Sequence, residues 1–418
     1  MCKPVKHGVS YLVAPFGTSR QLFLVAEPEE NYLCSGDDTQ GHGQTVSDWS
    51  RQIRSLLESC QTVLRQEHFD EHAAIIGQFF LADIGKKELV RQIFAEFFPN
   101  EAYALTFVPQ SPASGVVLSL ELWAITGDCS ATVAVQSQQL GFGVTAEFDH
   151  LRWYFLGDVR PDDQPVGAYT RSLRAFQRLA QQLEQHGFRS EQIVRTWIYQ
   201  GHLVLPEGKT QRYKELNRAR TDFFKGISFL KDYLPLKDRG EVYPASTGIG
   251  ADDVDVVMSA IAVAGDGKDV MAIPLENPNQ TSAFDYGTVY SPQSPKFSRA
   301  MAVVVKNSCL VFVSGTASIT ESESRFPENP EKQTEQTLDN IAQLIDGKNL
   351  ERHGILGFVS DLSHLKIARV YVKRPNELAV IKKVCDQRLG MIPILYTIAD
   401  VCRPELLVEI EGVVVVNR

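Results

Sequence analysis

Little in the chain would place it in a membrane, on nucleic acid or around a metal. Its 418 residues contain no apolar run of the roughly 18 residues a spanning helix needs, and mean hydropathy is -0.14. The opening MCKPVKHGVSYLVAPFG lacks the basic start, apolar stretch and small-residue cleavage site of a secretory signal. Basic residues are outnumbered, 42 Lys and Arg against 51 Asp and Glu, for a net charge of -9. That balance argues against a nucleic-acid surface, and any anion site must gather its arginines locally. Seven cysteines, an odd number, are scattered from Cys2 to Cys402 without CxxC or Cys/His metal spacing. They read as reduced thiols in a cytoplasmic protein without structural zinc. Walker, GxGxxG, GxSxG and HExxH patterns are also missing.

What is present is one order of elements written three times. Each copy runs from an amphipathic helix through a turn and strand to a second helix, then a Pro-containing strand and a last apolar strand. The central copy is clearest. SLRAFQRLAQQLEQ (Ser172–Gln185) puts Leu173, Phe176, Leu179, Ala180 and Leu183 on one helical face, and His186-Gly187 stops it. RTWIYQGHL (Arg195–Leu203) alternates as a strand, KELNRARTDFF (Lys214–Phe224) is helical, and VYPASTGIG (Val242–Gly250) is extended. VDVVMSAIAV (Val254–Val263) is a β-branched apolar strand. The C-terminal copy repeats the order with EQTLDNIAQLI, LKIARVYVKRPNEL, AVIKKVCDQRLG and LLVEIEGVVVV. A more worn N-terminal copy uses SLLESCQTVLRQ, IIGQFFLADI, VRQIFAEFFP and VVLSLELWAI. Units of about 130 residues can each bury a core. The expected domains are residues 1–140, 141–280 and 281–418. Three similar units suggest a pseudo-threefold arrangement with ligand clefts between them.

The string HGFRSEQIVRTWIYQGHL (His186–Leu203), with TLDNI and VEIEG, resembles the middle of the RidA/YjgF family. The resemblance implies an α+β, chorismate-mutase-like unit whose relatives assemble as trimers with sites between subunits. RYKELNRARTDFF (Arg212–Phe224), YPASTGIGA (Tyr243–Ala251) and YSPQSPKFSRAM (Tyr290–Met301) look like chorismatase sequence, a group with three such units in one chain. The likeness covers roughly residues 145–418 well and the first 140 only through the weak repeat. Imine-hydrolysing RidA relatives carry an Arg in a PARS-like string, whereas PAST (Pro244–Thr247) and PILYT (Pro393–Thr397) have none here. That departure moves weight from a deaminase toward a chorismatase.

The resemblance implies chorismate, a dicarboxylate enol ether, as substrate. Releasing pyruvate from it needs a proton on the enolpyruvyl methylene, hence a carboxylic acid held neutral near neutral pH. Glu409 and Glu411 of LLVEIEG share one strand face while Ile410 takes the other, and two neighbouring carboxyls can push one pKa up. The family match places the acid at Glu409. From the residues alone, two glutamates lining a groove and pairing with basic groups is the simpler reading. The N-terminal copy has Glu121 at the position taken to match, and the central copy Val257, so not every cleft can work. Arg220 and Arg299 are the expected carboxylate ligands, with Tyr213 and the Ser246–Thr247 stretch as hydrogen-bond donors. Arg212 and Arg218 remain alternatives. Tyr213, Asn217 and Arg220 fall on one helical face by their spacing.

The resemblance also bears on product. A branch forming 3-hydroxybenzoate carries Gly and Cys at two pocket positions where a hydrolysing branch carries Ala. Gly315 and Cys402, the latter seven residues before Glu409, match the Gly and Cys. Gly315 would leave space, and the Cys402 sulfur would help seat the ring; an inert buried thiol is the plainer reading of Cys402. No metal or organic cofactor is expected, since the reaction is acid-initiated. The expected protein is a cytoplasmic monomer converting chorismate mainly to 3-hydroxybenzoate, with an imine hydrolase or a non-catalytic binding protein as alternatives. His150, His186 and His364 read as caps or surface, Trp153, Tyr154 and Phe155 as core, and residues 321–336 as a solvated loop.

Overall fold

The computed structural model describes residues 3–5, 8–28, 46–69, 73–99, 103–127, 130–137, 141–162, 167–233, 241–253, 255–265, 270–287 and 292–418. The fold is mixed α+β, built on three six-stranded sheets. The first holds β1 (Lys3–Val5), β2 (Val9–Phe16), β3 (Ser19–Ala26), β4 (Ala74–Leu81), β5 (Tyr103–Val108) and β6 (Leu118–Gly127). Its helices are α1 (Val46–Gln66) and α2 (Lys87–Phe97), and its strand order is β1-β2-β3-β6-β4-β5. The second starts with β7 (Ser130–Ser137), β8 (Gly141–Phe148) and β9 (Leu151–Val159), then α3 (Ala168–Gln185) and β10 (Ile193–Gly201). A short hairpin, β11 (Pro206–Glu207) with β12 (Thr210–Gln211), leads into α4 (Arg212–Phe224), β13 (Ala245–Ala251) and β14 (Val256–Gly265). This sheet runs β13-β10-β14-β9-β8-β7.

The third contains β15 (Val270–Leu275), β16 (Ala300–Val305) and β17 (Ser308–Ala317), followed by the hairpin β18 (Ile319–Thr320) and β19 (Glu323–Ser324). Helices α5 (Pro330–Ile345) and α6 (Gly347–Arg352) precede β20 (Leu365–Val372), α7 (Leu378–Leu389), β21 (Ile394–Ile398) and β22 (Val408–Asn417). Its order is β15-β16-β17-β22-β20-β21. In every sheet one edge pair is parallel and is joined across a helix: β4–α2–β5, β10–α4–β13 and β20–α7–β21. All other pairs in these sheets are antiparallel, as hairpins allow.

Local chemistry explains the elements. In α1, Trp49, Ile53, Leu56, Leu57, Cys60 and Leu64 recur at helical spacing and are buried on one stripe. Helix α5 starts where Asn329 accepts from the Lys332 N–H and Pro330 occupies the first turn. Gly390, at φ 64°, ends α7. Residues 321–336 are therefore not simply a solvated loop, because the helix begins at Pro330. The repeat also starts earlier than the periodicity suggests, since each sheet opens with three antiparallel strands before its first helix. Consequently the chain changes sheet between Gly127 and Ser130 and between Gly265 and Val270, ahead of the 140/141 and 280/281 boundaries.

The helix-facing sides of the first and third sheets have separate cores. Their other faces join the second sheet and its helices in one central core. There Trp123 of β6 meets Phe155 of β9 at 5.3 Å and Phe312 of β17 at 6.1 Å, so one indole touches all three sheets. Trp153, Tyr154 and Phe155 are buried, as expected. Each parallel edge strand docks on the next sheet in turn. The Phe107 N–H in β5 donates to Asp158 Oδ1 of β9 (3.2 Å), and Ser246 N in β13 donates to Ser314 Oγ of β17 (2.9 Å). Around β21, Ile398 N donates to the Ser111 carbonyl (2.8 Å) and Ala113 N to that of Tyr396 (3.0 Å).

Candidate active site

Where β13 docks on the third sheet, a cavity of about 620 Å³ opens between the second and third sheets. Its wall is built by the β11–β12 hairpin with Pro206 and Lys209, α4 with Tyr213 and Asn217, β13 with Ser246 and Gly248, β17 with Gly315, the side chains of Tyr286, Phe297 and Arg299 ahead of β16, and the β21–β22 loop with Cys402 and Arg403. Glu409 of β22 lies at its floor. Six of the eight residues expected from the sequence thus share one wall: Tyr213, Ser246, Arg299, Gly315, Cys402 and Glu409.

The floor depends on a bulge in β17. Its register against β22 shifts between Val313 and Thr316, leaving Ser314 and Gly315 free of the ladder. Their N–H groups are used elsewhere: Ser314 N donates to the Arg299 carbonyl (3.0 Å) and Gly315 N to Thr247 Oγ1 (2.9 Å). A Cβ on Gly315 would stand 2.0 Å from Glu409 Oε1. Glycine there makes room for the acid's own carboxyl, which is a tighter constraint than the ring space the sequence suggested.

Glu409 and Glu411 share a face, with Ile410 packed into the helix-side core. Their environments diverge. Burial, then the neighbouring Glu411 charge, pushes Glu409 up to about 8, against the pull of Arg195 and Arg299. Burial alone would raise Glu411 too, but Arg369 and Arg195 hold it below the ordinary carboxylate range. Arg369 Nη1 donates to Glu411 Oε1 (2.7 Å), as do Trp197 Nε1 (3.0 Å) and the Tyr371 hydroxyl (3.0 Å). Arg195 Nη2 and the Thr247 hydroxyl both donate to Oε2. The pair therefore combines one neutral carboxyl facing the cavity with one fixed anion behind it.

Two of the expected residues lie behind the wall. Thr247 does not face the cavity: its hydroxyl donates to Glu411 and accepts from Arg195 Nη2 (2.7 Å) and Gly315 N. It braces the bulge. Arg220 is 1% exposed and sits one layer back, donating to Asn217 Oδ1 (2.6 Å) and Ser246 Oγ (3.4 Å). Burial lowers its pKa, and neither it nor Arg299 has a carboxylate within ion-pair distance among the described residues. Arg299 Nη2 donates to the Thr281 carbonyl (2.8 Å) and the Tyr286 hydroxyl (2.6 Å), and Nε of both arginines has no partner among the described residues. The alternatives Arg212 and Arg218 are taken up by Glu207 (2.8 Å) and Glu215 (2.7 Å).

Burial, then the nearby Glu409, pushes the Cys402 thiol up to about 12, so it is protonated and a poor nucleophile. Cys60, Cys309 and Cys385 are likewise free, whereas Cys2, Cys34 and Cys129 lie outside the described residues. No three His, Cys, Asp or Glu side chains converge as metal ligands would among the described residues. None of their helices is long and apolar enough to cross a membrane.

Strand register corrects the matching of the three copies. Counting from the first paired residues of β6, β14 and β22 (Leu118, Val256 and Val408), the second positions are Ser119, Val257 and Glu409. The fourth are Glu121, Ser259 and Glu411. Hence Val257 does match Glu409, but Glu121 matches Glu411. The sequence reading also passed over Arg195 and Arg369, the partners of Glu411. An arginine inside an apolar strand, as in RTWIYQ and ARVYV, is a signal for such a buried counter-charge.

No family model matches the chain. A 3-hydroxybenzoate synthase of Streptomyces hygroscopicus is 31% identical over 279 residues, spanning 65% of this chain and 76% of that protein. A chorismatase of Streptomyces rapamycinicus is 37% identical over 233 residues, 53% of this chain and 64% of its relative. A second chorismatase, from Streptomyces hygroscopicus, is 38% identical over 176 residues, 41% and 48% of the two chains. A crystal structure of a chorismatase superposes with a TM-score of 0.62 at 22% identity, covering 82% of this chain and 93% of that one. With a relative of that identity matched over three quarters of its length, the chain belongs to the chorismatase family.

Proposed function

We propose that the protein binds chorismate in the cavity between its second and third sheets and releases pyruvate, forming mainly 3-hydroxybenzoate. The observation that carries this reading is Glu409, a carboxyl pushed up to about 8 and facing a cavity with Arg299 in its wall and Arg220 one layer behind, neither ion-paired to a carboxylate among the described residues. Arg299 meets one substrate carboxylate at the wall. Arg220 supplies positive charge from behind Ser246, Asn217 and Tyr213. Glu409 then protonates the enolpyruvyl methylene, leaving an oxocarbenium that the substrate carboxylate and the fixed anion of Glu411 stabilise. Together 3-hydroxybenzoate and pyruvate have the composition of chorismate, so this outcome consumes no water, whereas a dihydroxydiene would consume one. Gly315 and Cys402 act at this step by fixing where the acid and the ring sit.

Three RidA/YjgF-like domains about a pseudo-threefold axis, with their sheets over residues 3–127, 130–265 and 270–417, complete the reading. The common strand order and the cyclic docking of β5, β13 and β21 support it. The four described free cysteines agree with a reducing cytoplasm, and cell fractionation checks that location. The functional test is chorismate turnover, with pyruvate followed by a coupled assay and aromatic products by chromatography. Wild type should give both, and Glu409→Gln should lose about 10²- to 10⁴-fold in rate, as removal of a general acid does. A non-aromatic diene in place of 3-hydroxybenzoate would overturn the roles of Gly315 and Cys402, and absence of pyruvate would overturn the activity.

A further inference from the structure

The cluster behind Glu409 extends beyond the two sheets that form the cavity. Arg369, 2% exposed, reaches from β20 to both carboxyl oxygens of Glu121 on β6, with Nη2 to Oε1 at 2.7 Å and Nε to Oε2 at 3.0 Å. Its third nitrogen, Nη1, donates to Glu411 Oε1 (2.7 Å) and to the hydroxyls of Tyr199 (2.7 Å) and Tyr371 (3.2 Å). Arg195 closes the other side of Glu411. Two glutamates and two arginines thus form a charge-balanced group at the meeting point of all three sheets, and Phe80 of β4 covers the Arg369 guanidinium at 4.9 Å.

We propose that Glu121 of the first sheet is a positioning residue for the acid, acting through its two-pronged pair with Arg369 to set the charge that Glu409 faces. This rests on the reading of Glu409 as the acid. Every bond Arg369 gives to Glu121 is positive charge not given to Glu411, so Glu411 keeps more of its anionic field for its neighbour two residues away. Without Glu121 the buried group carries a net positive charge, and in a medium of low dielectric that charge favours ionised Glu409. Burial raises Glu121 itself and Arg369 opposes it, so the effect operates where Glu121 is ionised. The other groups facing Glu409 stay as they are: Tyr213 and Arg220 from α4, Arg195 from β10, Thr247 from β13, and Arg299, Cys402, Arg403 and Glu405 around the cavity. The N-terminal copy, which has Ser119 where an acid would be needed, would thus serve the working site in place of having its own.

The test is a pH profile. Glu121→Gln should move the alkaline limb of kcat/KM for chorismate down by about one pH unit, since the acid must be protonated to act. Gln78→Glu should move it up. Gln78 lies opposite Glu121 in the ladder and its Oε1 already accepts from the Tyr199 hydroxyl at 2.6 Å, so a carboxylate fits the site and adds negative charge. Opposite shifts from the two variants cannot come from loosened packing, and Gln78→Glu carries the test if Glu121→Gln does not fold. The same shifts should appear in the carbon NMR titration of the Glu409 carboxyl, identified by its loss in Glu409→Gln. That titration needs no turnover. Limbs and titrations that superpose on wild type would reduce Glu121 to a structural brace, whether or not chorismate proves to be the substrate.

Discussion

Glu409 is costly to keep in its place. Its folded-state pKa of about 8 lies above the ordinary carboxylate range, so the folded protein holds a proton that the unfolded chain gives up. Stability from this group is therefore fully present at low pH and falls as pH rises through the ordinary range to about 8. Glu409→Gln removes the dependence. The variant should melt close to wild type near pH 5 and above it near pH 8.5, a difference that calorimetry reads directly. A gap that is constant with pH would show that Glu409 is not held neutral. Residue scale is also where the sequence was most and least legible. Tyr213, Ser246, Arg299, Gly315, Cys402 and Glu409 were named from local strings and do share one wall. Thr247 was named for the same string as Ser246, yet adjacent strand residues point to opposite sides, and only one of them reaches the cavity.

At the scale of elements, the site hangs on two departures from regular structure. The β17 bulge releases two N–H groups from the ladder, and β13 collects one of them through a single hydroxyl. Thr247→Val keeps the shape and removes that hydroxyl, leaving the Gly315 N–H and one bond to Glu411 unmade. We expect a loss of about 1–3 kcal/mol in denaturant unfolding, with a lower kcat as Gly315 and the acid lose their fixed spacing. A neutral effect would mean the bulge is held by packing alone. Helix periodicity locates all six of the described helices longer than ten residues, because apolar stripes recur every three to four residues regardless of partner, but α1 and α5 begin well before the strings Ser55–Gln66 and Glu335–Ile345. The opening strands of the first two sheets carry a weaker signal, because strands such as SRQLFLVA and LRWYFLGDV are buried on both faces and show no alternation.

Across the whole molecule, each sheet's parallel edge is capped by the next sheet, so among the described strands β5, β13 and β21 all find partners within the chain. The approach is close: a Cβ on Gly157 of β9 would sit 2.2 Å from the Leu105 carbonyl of β5. On the proposed cyclic arrangement the three parallel edges need no second copy to cover them. Sedimentation should therefore give a single species at the mass of one chain, and a concentration-dependent dimer or trimer would contradict the closed arrangement.

Local pattern alone accounts for the helices, the repeated order of elements, the lack of a long apolar helix and the strand carrying two same-side glutamates. All of these follow from periodicities of a few residues and from composition, which act before any distant contact forms. Which glutamate is neutral depends on contacts between distant segments. Glu409 and Glu411 are two residues apart on one face, and what separates them is Arg195 from β10 and Arg369 from β20 closing on one and not the other. Likewise, strand register pairs Glu121 with the Glu411 position where repeat spacing suggests Glu409, because spacing along a worn repeat carries no information about which residues face each other across a sheet.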